Sequence, residues 1–469
     1  MKATIKDGIV YSPHPKVDIP LCSVYTAMKE FITTSPDQLA LVDEKLRLTR
    51  GEFFSRMRSY AAGFQAQGIR LGDRVCGLFI IGEPVPGFVS VSDFTELNED
   101  DFKEVPIADP KQTTLAVFYS SGTTGDAKGM EISHYSLVAN LYMTKVLVNY
   151  EPGDVLLAWY PITYASGFMF IPAAAYAGAT CVIVHPGLTF DQFVYYVTKY
   201  NVTTVATVPV RLHYYLADMM RTGTKLPSVK KINMGGTVLT QTFANKVLEV
   251  FDGVRSLRNH YATSESCGLL CSPPSGEISS GNVGFPAPMV ELKFIDMDTG
   301  EKVGPRQYGE LYFRIPSVMK GYYKNPALVK EFMDEDGWCK SGDIMYYDED
   351  GRVYFVDRVK DMIKCLDQQV SSMELECLLQ SHPSVADAAV VGVAKTEYGD
   401  APTAFVVLRD PTAASPEVAA KLKEHVACKT EKFKHLHGGL VFMDRLPRNT
   451  NGKVIKRQLK LLYDKSKVY

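Results

Sequence analysis

The sequence has no excess of charge of either sign. Its 469 residues include 51 basic and 53 acidic side chains, which gives a formal net charge of −2 at pH 7. No block of like charges forms a tail. A strongly basic surface is the electrostatic mark of proteins that bind nucleic acids or anionic membranes. The charge balance gives no reason to expect either partner, and we expect no bound nucleic acid.

The cysteines have no regular spacing. Nine are scattered between Cys22 and Cys428, and an odd, irregular set does not form a disulfide framework. The pattern therefore predicts reduced thiols and an intracellular, cytoplasmic protein. The closest pair, Cys267 and Cys271, lacks a second pair at zinc spacing, so it does not favour a metal site.

Long uninterrupted hydrophobic runs are also missing. The N-terminal MKATIKDGIVYSPHPK has no apolar core, so we expect no cleaved signal peptide. The segment from Pro161 to Phe190 has no charged residue, but Pro172, Gly178 and Pro186 interrupt it. We predict a buried helix followed by a strand there, and no integral membrane span. The last residues, DKSKVY, are not the Ser-Lys-Leu peroxisomal signal.

Strand-like apolar runs alternate with amphipathic segments over most of the chain. The predicted strands are Leu115–Tyr119, Met130–Ile132, Cys181–Val184 and Thr203–Val210, and the predicted helices are Tyr135–Val146, Phe190–Tyr200 and Gln241–Phe251. This order predicts an α/β fold whose sheets are mainly parallel and flanked by helices.

The texture changes twice towards the C-terminus. From Glu291, short strands separated by turn signals predict a β-rich subdomain. From about Asp357, a charged segment leads into what we predict to be a small α+β domain. Its predicted elements are helices Ser372–Ser381 and Pro416–Cys428 and strands Ala388–Val393 and Ala404–Leu408.

The stretch YSSGTTGDAKG, from Tyr119 to Gly129, combines hydroxyls, glycines and one lysine. Its glycines (Gly122, Gly125 and Gly129) leave amide hydrogens unshielded. Its hydroxyls and cation can donate to anionic oxygens, and they belong to Ser120, Ser121, Thr123, Thr124 and Lys128. This composition is that of a polyphosphate cradle without the Walker A pattern. By itself, a plain connecting loop explains it as well.

Four further motifs change the balance between these two interpretations. They are Tyr261–Glu265 (YATSE), Ser341–Asp343 (SGD), Asp357–Lys360 (DRVK) and Asn451–Lys453 (NGK). With the loop, they resemble the adenylate-forming (AMP-binding) superfamily, which includes acyl-CoA synthetases, coumarate–CoA ligase and firefly luciferase. The resemblance runs from about residue 20 to the C-terminus, and the run Val318–Gly351 is especially specific. It implies a large N-terminal domain, residues 1–358, and a small mobile C-terminal domain, residues 359–469, that turns about Lys360.

The resemblance implies ATP, Mg²⁺ and coenzyme A as ligands. The loop from Ser120 to Lys128 would hold the β- and γ-phosphates. The remaining nucleotide contacts would be Gly235, Gly236 and Thr237 along adenine and the acyl tail, Tyr261 stacked on adenine, Ser264 on a phosphate oxygen, Glu265 on Mg²⁺, Asp343 on the ribose hydroxyls, and Arg358 on ribose or phosphate. A carboxylate beside a triphosphate requires a cation between them, because bare like charges repel.

Catalytic roles are implied in the same way. Lys453 matches the lysine that assists adenylation, where negative charge builds near the α-phosphate. Lys364 and Gln369 match the segment that a domain rotation brings to the site when coenzyme A arrives. Tyr164 would border the acyl pocket, at a position where the family has histidine. Tyrosine cannot carry a proton at neutral pH as histidine can.

Two other departures from the family pattern bear on activity. Between Lys364 and Gln369, Leu366 and Asp367 replace the family's Lys-Gly, which predicts crowding and repulsion in the thioester step. After about residue 80, roughly 70 to 80 residues, or two crossover units, are missing by family analogy. Losing interior strands would expose apolar edges and lower the stability of the large domain.

The sequence therefore leaves four functional hypotheses. The first is an ATP-dependent ligase that joins a fatty or aromatic carboxylic acid to coenzyme A through an acyl-adenylate. The alternatives are an enzyme that stops at the adenylate, a non-catalytic binding protein with a shortened large domain, and a luciferase-like monooxygenase. Family analogy also leaves a peroxisomal location open, and the sequence does not identify the acid.

Overall fold

A computed structural model describes most of the chain. It describes residues 1–73, 79–80, 89–119, 128–147, 149–161, 164–448, 453–463 and 466–469. The predicted phosphate loop at residues 120–127 and most of the predicted discontinuity after residue 80 lie outside the described residues.

The strands and helices are numbered in chain order. The strands are β1 (Thr4–Lys6), β2 (Ile9–Tyr11), β3 (Leu39–Val42), β4 (Arg47–Thr49), β5 (Phe79–Ile80), β6 (Val89–Ser90), β7 (Thr114–Tyr119), β8 (Gly129–Ser133), β9 (Val155–Ala158), β10 (Thr180–Ile183), β11 (Thr204–Thr207), β12 (Lys231–Gly235), β13 (Ser256–His260), β14 (Cys271–Ser272), β15 (Phe285–Pro286), β16 (Glu291–Ile295), β17 (Gly309–Arg314), β18 (Gly321–Tyr322), β19 (Cys339–Tyr347), β20 (Val353–Arg358), β21 (Ile363–Cys365), β22 (Gln368–Val370), β23 (Val385–Lys395), β24 (Gly399–Leu408) and β25 (Gly439–Phe442). The α-helices are α1 (Val24–Thr34), α2 (Arg50–Ala66), α3 (His134–Val146), α4 (Ala165–Tyr176), α5 (Phe190–Lys199), α6 (Pro209–Thr222), α7 (Gln241–Val250), α8 (Pro326–Phe332), α9 (Ser372–Gln380), α10 (Pro416–Ala427) and α11 (Lys456–Tyr463).

A seven-stranded sheet forms the centre of the large domain, in the order β13-β12-β11-β9-β10-β3-β4. All its neighbours pair in parallel except the β3–β4 hairpin at one edge. Helices connect the parallel strands and bury apolar residues against the sheet, including Trp159, Phe193 and Leu257. The predicted α/β class with a mainly parallel sheet is confirmed.

One predicted strand is too long. The strand predicted over Thr203–Val210 ends at Thr207, and α6 begins at Pro209. Proline suits the first turn of a helix because it has no N–H to leave unpaired and its φ is already helical. Helix α6 ends at Thr222, and Gly223 caps it in the left-handed conformation with a φ of 68°.

A six-stranded antiparallel sheet, β1-β2-β16-β17-β19-β20, forms the predicted β-rich part. Alternate residues of β17 are buried, as expected for a sheet with one covered face. The N-terminal hairpin β1–β2 pairs with β16, almost 300 residues later in the chain. Strands β19 and β20 are the last pair of this sheet. Their register places Asp343 on β19 opposite Arg358 on β20.

Two small sheets lie near the predicted phosphate loop and the predicted discontinuity. The antiparallel sheet β18-β8-β7 includes the two strands that flank the loop. Strands β5 and β6 form a parallel pair of two residues each. In the part of the chain that the structure describes, no other strand joins this pair.

The C-terminal residues form the predicted α+β unit. A five-stranded sheet, β22-β21-β24-β23 with β25 beside β24, packs against α9 and α10 around its own apolar core. The short 3-10 turn Val359–Asp361 links it to β20. Strand β20 ends at Arg358, and the division into two domains after this residue stays a prediction. In the ranges given above, no helix is both long and apolar enough to cross a membrane.

Candidate active site

A cleft of about 1760 Å³ lies between the parallel sheet and the C-terminal unit. Its floor includes Val208, Gly236 and Tyr261, the residues that follow β11, β12 and β13. Its other wall includes Arg358, Lys360 and Lys453. Open α/β sheets bind ligands at the carboxyl ends of their strands. The cleft is larger than a typical small-molecule pocket, so it can hold a nucleotide and a second substrate.

Three predicted nucleotide contacts meet at one side of the cleft. The Tyr261 hydroxyl donates to Asp343 Oδ2 at 2.6 Å, and Arg358 Nε lies 3.8 Å from Asp343 Oδ1. Burial raises the pKa of Asp343, while the Tyr261 hydrogen bond and the charges of Arg358 and Lys453 oppose that rise. The carboxylate is thus fixed by a ring on one side and a guanidinium on the other. This arrangement can bind a diol beside a planar base.

Lys453 lies on the same wall as Arg358 and Lys360, with protein around most of its side chain and an opening towards the cleft. Its neighbour Val454 forms an antiparallel bridge with Arg448. Burial lowers the pKa of Lys453, and the positive charges of Arg358 and Lys360 lower it further, against the pull of Asp343. Burial and Arg358 likewise lower the pKa of Lys360. Arg358, Lys360 and Lys453 thus lie close enough to influence one another, and a polyanion that enters the cleft meets all three cations.

Tyr322 connects two predicted phosphate-side residues. Its hydroxyl donates to Glu265 Oε1 at 3.0 Å, and Lys128 Nζ lies 5.7 Å from its ring centroid. Tyr322 is on β18, which pairs with β8 directly after Lys128. The sequence analysis did not single out Tyr322, although it lies in the specific run Val318–Gly351. The pairing of β18 with β8 places Tyr322 beside Glu265 and Lys128.

The glycine segment after β12 lies along the cleft. Gly236 has a φ of +83°, which side chains other than glycine rarely adopt, and it lines the cleft with Thr237. With its amide oriented to satisfy both partners, Asn259 donates to the Thr237 carbonyl at 3.2 Å and accepts from Leu239 N–H at 3.3 Å. Asn259 therefore holds the backbone that the sequence placed along adenine, and the sequence analysis did not predict it.

One side of the cleft, next to the Gly236–Thr237 segment, is lined by apolar residues. Val208, Pro209, Val238 and Phe243 line it. His260 lies at the floor, and its Nε2 is 3.1 Å from Asn233 Oδ1. Burial and the charge of Arg258 lower the pKa of His260 well below its usual value, so the ring is neutral. An apolar or aromatic group fits this surface better than a second anion would.

Four predicted residues lie elsewhere. Lys364 and Gln369 face each other across the β21–β22 hairpin and are not among the described residues that line the cleft. Tyr164 precedes α4 and is 36% exposed, and it too is absent from the described lining. Ser264 is exposed in the turn before Glu265. The structure thus brings Lys453 to Asp343 and leaves the predicted thioester-step residues outside.

The tip of the β21–β22 hairpin has unusual backbone angles. Cys365 pairs with Gln368, so Leu366 and Asp367 form a two-residue turn. Their φ values are 52° and 59°. Two positive φ angles in a two-residue hairpin are the pattern of a type I′ turn, which favours Asn-Gly. Leucine is a poor residue for this conformation because its Cβ crowds the following carbonyl.

Glu265 is the residue that could hold a metal at this site. Across the ranges that the structure covers, no group of three or more His, Cys, Asp or Glu side chains could form a site made of protein alone. Mg²⁺ commonly binds through one or two carboxylates and the phosphates of its substrate. A single carboxylate beside Lys128 and Tyr322 fits that mode of binding.

The fold is that of an α/β protein with a cleft beside its C-terminal unit, and comparisons with known proteins identify the family. The profile of the AMP-binding enzyme family matches residues 83–323, and that of the AMP-binding enzyme C-terminal domain matches residues 374–453. The chain belongs to the AMP-binding enzyme family. The predicted resemblance to adenylate-forming enzymes is therefore confirmed.

Relatives with assigned names include ligases and luciferases. A probable 4-coumarate–CoA ligase 2 of Dictyostelium discoideum is 34% identical over 374 residues, which cover 79% of this chain and 67% of that protein. A luciferin 4-monooxygenase of Photuris pensylvanica is 29% identical, with coverage of 82% and 72%. Among solved structures, the o-succinylbenzoate–CoA synthetase MenE of Bacillus subtilis, bound to ATP and magnesium, superposes with a TM-score of 0.76 at 23% identity, covering 92% of this chain and 99% of that one.

Proposed function

We propose that the protein is an ATP-dependent carboxylic acid–CoA ligase that works through an acyl-adenylate. The observation that carries this proposal is the convergence of Tyr261, Asp343, Arg358 and Lys453 on one cleft at the carboxyl ends of parallel strands. Membership of the AMP-binding family and the identity to a probable 4-coumarate–CoA ligase support the same reaction class.

ATP would lie along the cleft with its base near Tyr261 and the Gly235–Thr237 segment. Asp343 would accept hydrogen bonds from both ribose hydroxyls, and Arg358 would contact ribose or phosphate. Ser264 would donate to a phosphate oxygen. The hydroxyls and amides of residues 120–125, with Lys128, would hold the terminal phosphates. In this pose the cations of the cleft face the part of the substrate with the highest negative charge.

Mg²⁺ would be held by Glu265 together with phosphate oxygens. When bound, it would neutralise charge on the phosphates. The Tyr322 hydroxyl donates to Glu265 and so orients this carboxylate before any metal arrives.

Adenylation joins two anions, so charge stabilisation is the main task of the protein. A carboxylate oxygen of the acid forms a bond to the α-phosphorus, and the bond from that phosphorus to the bridging oxygen breaks, releasing pyrophosphate. Negative charge grows on the α-phosphate oxygens and on the leaving group. The Lys453 ammonium, already directed into the cleft, would stabilise that charge.

Thioester formation would require a different face of the C-terminal unit. The thiol sulfur of coenzyme A attacks the acyl carbon after losing its proton, and AMP leaves with the bonding electrons. We infer that the unit turns about Lys360, which removes Lys453 and brings Lys364 and Gln369 to the cleft. The charge and strain of the Leu366–Asp367 turn would slow this second step relative to adenylation.

The substrate pocket suggests an apolar or aromatic acid. The apolar lining described above and the neutral His260 favour an apolar or aromatic group, and Lys246 also borders the cleft. A fatty or an arylpropenoic acid meets these requirements equally well.

An intracellular location is part of the proposal. All eight cysteines that the structure describes are free thiols. A protein kept in a reducing compartment needs no disulfide to stabilise its fold.

One assay separates the hypotheses. Purified protein is incubated with ATP, Mg²⁺ and a panel of fatty and aromatic acids, with and without coenzyme A, and pyrophosphate and thioester are measured. Pyrophosphate with thioester supports the ligase, whereas pyrophosphate without thioester supports an enzyme that stops at the adenylate. A folded sample that releases no pyrophosphate with any acid rules out both.

A further inference from the structure

A largely buried ion pair lies at the edge of the cleft, three residues after Lys453 in sequence. Lys456 Nζ lies 2.9 Å from Glu376 Oε1, and the two side chains are 19% and 16% exposed. Lys456 begins α11, while Glu376 is on α9 and also accepts the Val390 backbone N–H at 2.9 Å. The pair therefore fixes the segment after Lys453 to a helix of the C-terminal unit.

The same lysine reaches the last strand of the large domain through one serine. Lys456 Nζ donates to Ser372 Oγ at 2.5 Å, and Ser372 Oγ donates to Asp357 Oδ2 at 2.7 Å. A hydroxyl can accept one hydrogen bond while it donates another, so both bonds coexist. We call Asp357, Ser372, Glu376 and Lys456 the Asp357–Lys456 network.

Asp357 joins this network to Arg358 at the nucleotide side. Its Oδ2 accepts the Ser372 and Met373 amides at 2.6 and 3.3 Å, which caps the start of α9. Its Oδ1 accepts the Arg358 amide at 2.8 Å. One network of hydrogen bonds thus holds the backbone beside Arg358 and the backbone three residues after Lys453.

Electrostatics agrees with this geometry. Burial alone would lower the pKa of Lys456, but the carboxylates of Glu376, Asp357 and Asp361 outweigh it and raise the pKa. The lysine is charged at neutral pH and surrounded by acids, which hold its side chain in the network at the edge of the cleft. A buried pair of this kind adds little to stability compared with apolar packing, and specifying one geometry is a recognised alternative role.

We propose that Lys456 is a positioning residue for adenylation, which holds Lys453 opposite Asp343 and Arg358 by joining α11 to α9 and β20. The inference rests on the proposed function. Its consequence is that the network stabilises the domain orientation that serves adenylation, and the network must break when the C-terminal unit turns.

The test compares Lys456→Met with Lys434→Met. Lys434 Nζ makes an ion pair with Glu374 on the same helix α9 at 3.0 Å, and Lys434 does not border the cleft. We expect Lys456→Met to lower kcat for pyrophosphate release about 10- to 100-fold, with KM for ATP changed less than about twofold, because misplacing a catalytic group by about 1 Å has an effect of this size. Lys434→Met should leave both parameters unchanged.

Two further measurements exclude a general loss of structure. Thioester formation from supplied acyl-adenylate should stay within about twofold of wild type in Lys456→Met, and Lys456→Arg should recover most of the adenylation rate. Equal loss of both half-reactions, or no loss of adenylation, would overturn the proposal while leaving the ligase function intact.

A measurement that does not depend on enzyme activity tests the positioning role even if the wild-type protein forms no adenylate. The labelling rate of Lys453 by an amine-reactive reagent, followed by mass spectrometry, should rise in Lys456→Met and not in Lys434→Met. If wild type forms no adenylate with any acid, the proposed function fails, and this rate still decides whether the network positions Lys453. An unchanged rate overturns the positioning role.

Discussion

At the residue scale, the site depends on a few polar groups held by specific partners. Asp343 lies between the Tyr261 hydroxyl and Arg358, and Tyr322 lies between Glu265 and Lys128. These pairs join residues that are far apart in sequence. We therefore expect activity to be most sensitive to substitution of the side chains that orient a charged group, and less sensitive to substitution of those that only fill space.

Tyr261→Phe tests the orientation of Asp343. The ring remains for stacking, but the 2.6 Å hydrogen bond to the carboxylate is lost. A hydrogen bond to a charged group contributes about 1.5–3 kcal/mol, so we expect KM for ATP to rise about 10- to 100-fold. The measurement is steady-state pyrophosphate release. The control is Tyr346→Phe, which should leave KM unchanged. The Tyr346 ring stacks on Tyr354 and does not line the cleft.

Lys453 should give adenylation an alkaline limit. Burial and the charges of Arg358 and Lys360 lower its pKa from the ordinary 10.5, so the ammonium loses its proton at a lower pH than a surface lysine does. The adenylation rate should fall on the alkaline side with an apparent pKa below 10.5. Arginine stays protonated over this range, so Lys453→Arg should shift that limb upward at a lower maximal rate. The same limb in both proteins would contradict the role of Lys453.

At the scale of elements, the β21–β22 hairpin is the part that least suits its predicted task. Its turn places Leu366 and Asp367 at positive φ, and Leu366 is 42% exposed at the tip. The strands on either side pair regularly, so the departure is confined to two residues. Neither residue is among the described residues that line the cleft, so we expect strain in this turn to act on the thioester step and not on adenylation.

Asp367→Gly should improve both the turn and the thioester step. Glycine accepts positive φ without a Cβ, and we expect up to about 1 kcal/mol of added stability in urea-induced unfolding. Thioester formation from supplied acyl-adenylate should become faster, since a negative charge is removed near coenzyme A. Asp367→Asn separates the two effects: it should raise the rate by removing the charge without adding the same stability. A rate unchanged in both variants would refute the inhibitory role of Asp367.

At the scale of the whole molecule, two apolar cores flank one cleft. The parallel sheet of the large domain has a core around Trp159 and Phe193, and the C-terminal unit has its own around Leu375 and Leu422. Asp343 and Arg358 come from the antiparallel sheet of the large domain, and Lys453 comes from the C-terminal unit. A ligand bound in the cleft therefore contacts both units, and its binding energy contributes to the stability of each.

Binding of Mg·ATP should stabilise both units together. At about 100 times its Kd, a ligand specific for the native state adds about 2.7 kcal/mol to the free energy of unfolding. Differential scanning calorimetry should show this as a rise in Tm of every resolved transition. Glu265→Gln should reduce the dependence of that rise on Mg²⁺. A shift confined to one of two transitions would contradict a site shared between the units.

The sequence alone determined the fold class and part of the order of elements, and its motifs indicated the reaction class through the family resemblance. Local patterns were sufficient because an apolar run predicts a strand and an amphipathic run predicts a helix from neighbouring residues. These local patterns gave a wrong strand end at Val208–Pro209. The hydrophobic run continues there from the strand into the next helix, which begins at Pro209. The motifs also placed Asp343, Arg358 and Lys453 among the candidates before any geometry was known.

The tertiary structure alone decided which of these candidates meet. The Tyr261–Asp343 hydrogen bond, the position of Tyr322 beside Glu265 and the bond from Lys456 to Ser372 join residues that are 82, 57 and 84 positions apart. No local signal in the sequence encodes such contacts, because they form when whole sheets and helices pack. The same packing placed Lys453 in the cleft and left Lys364 outside it.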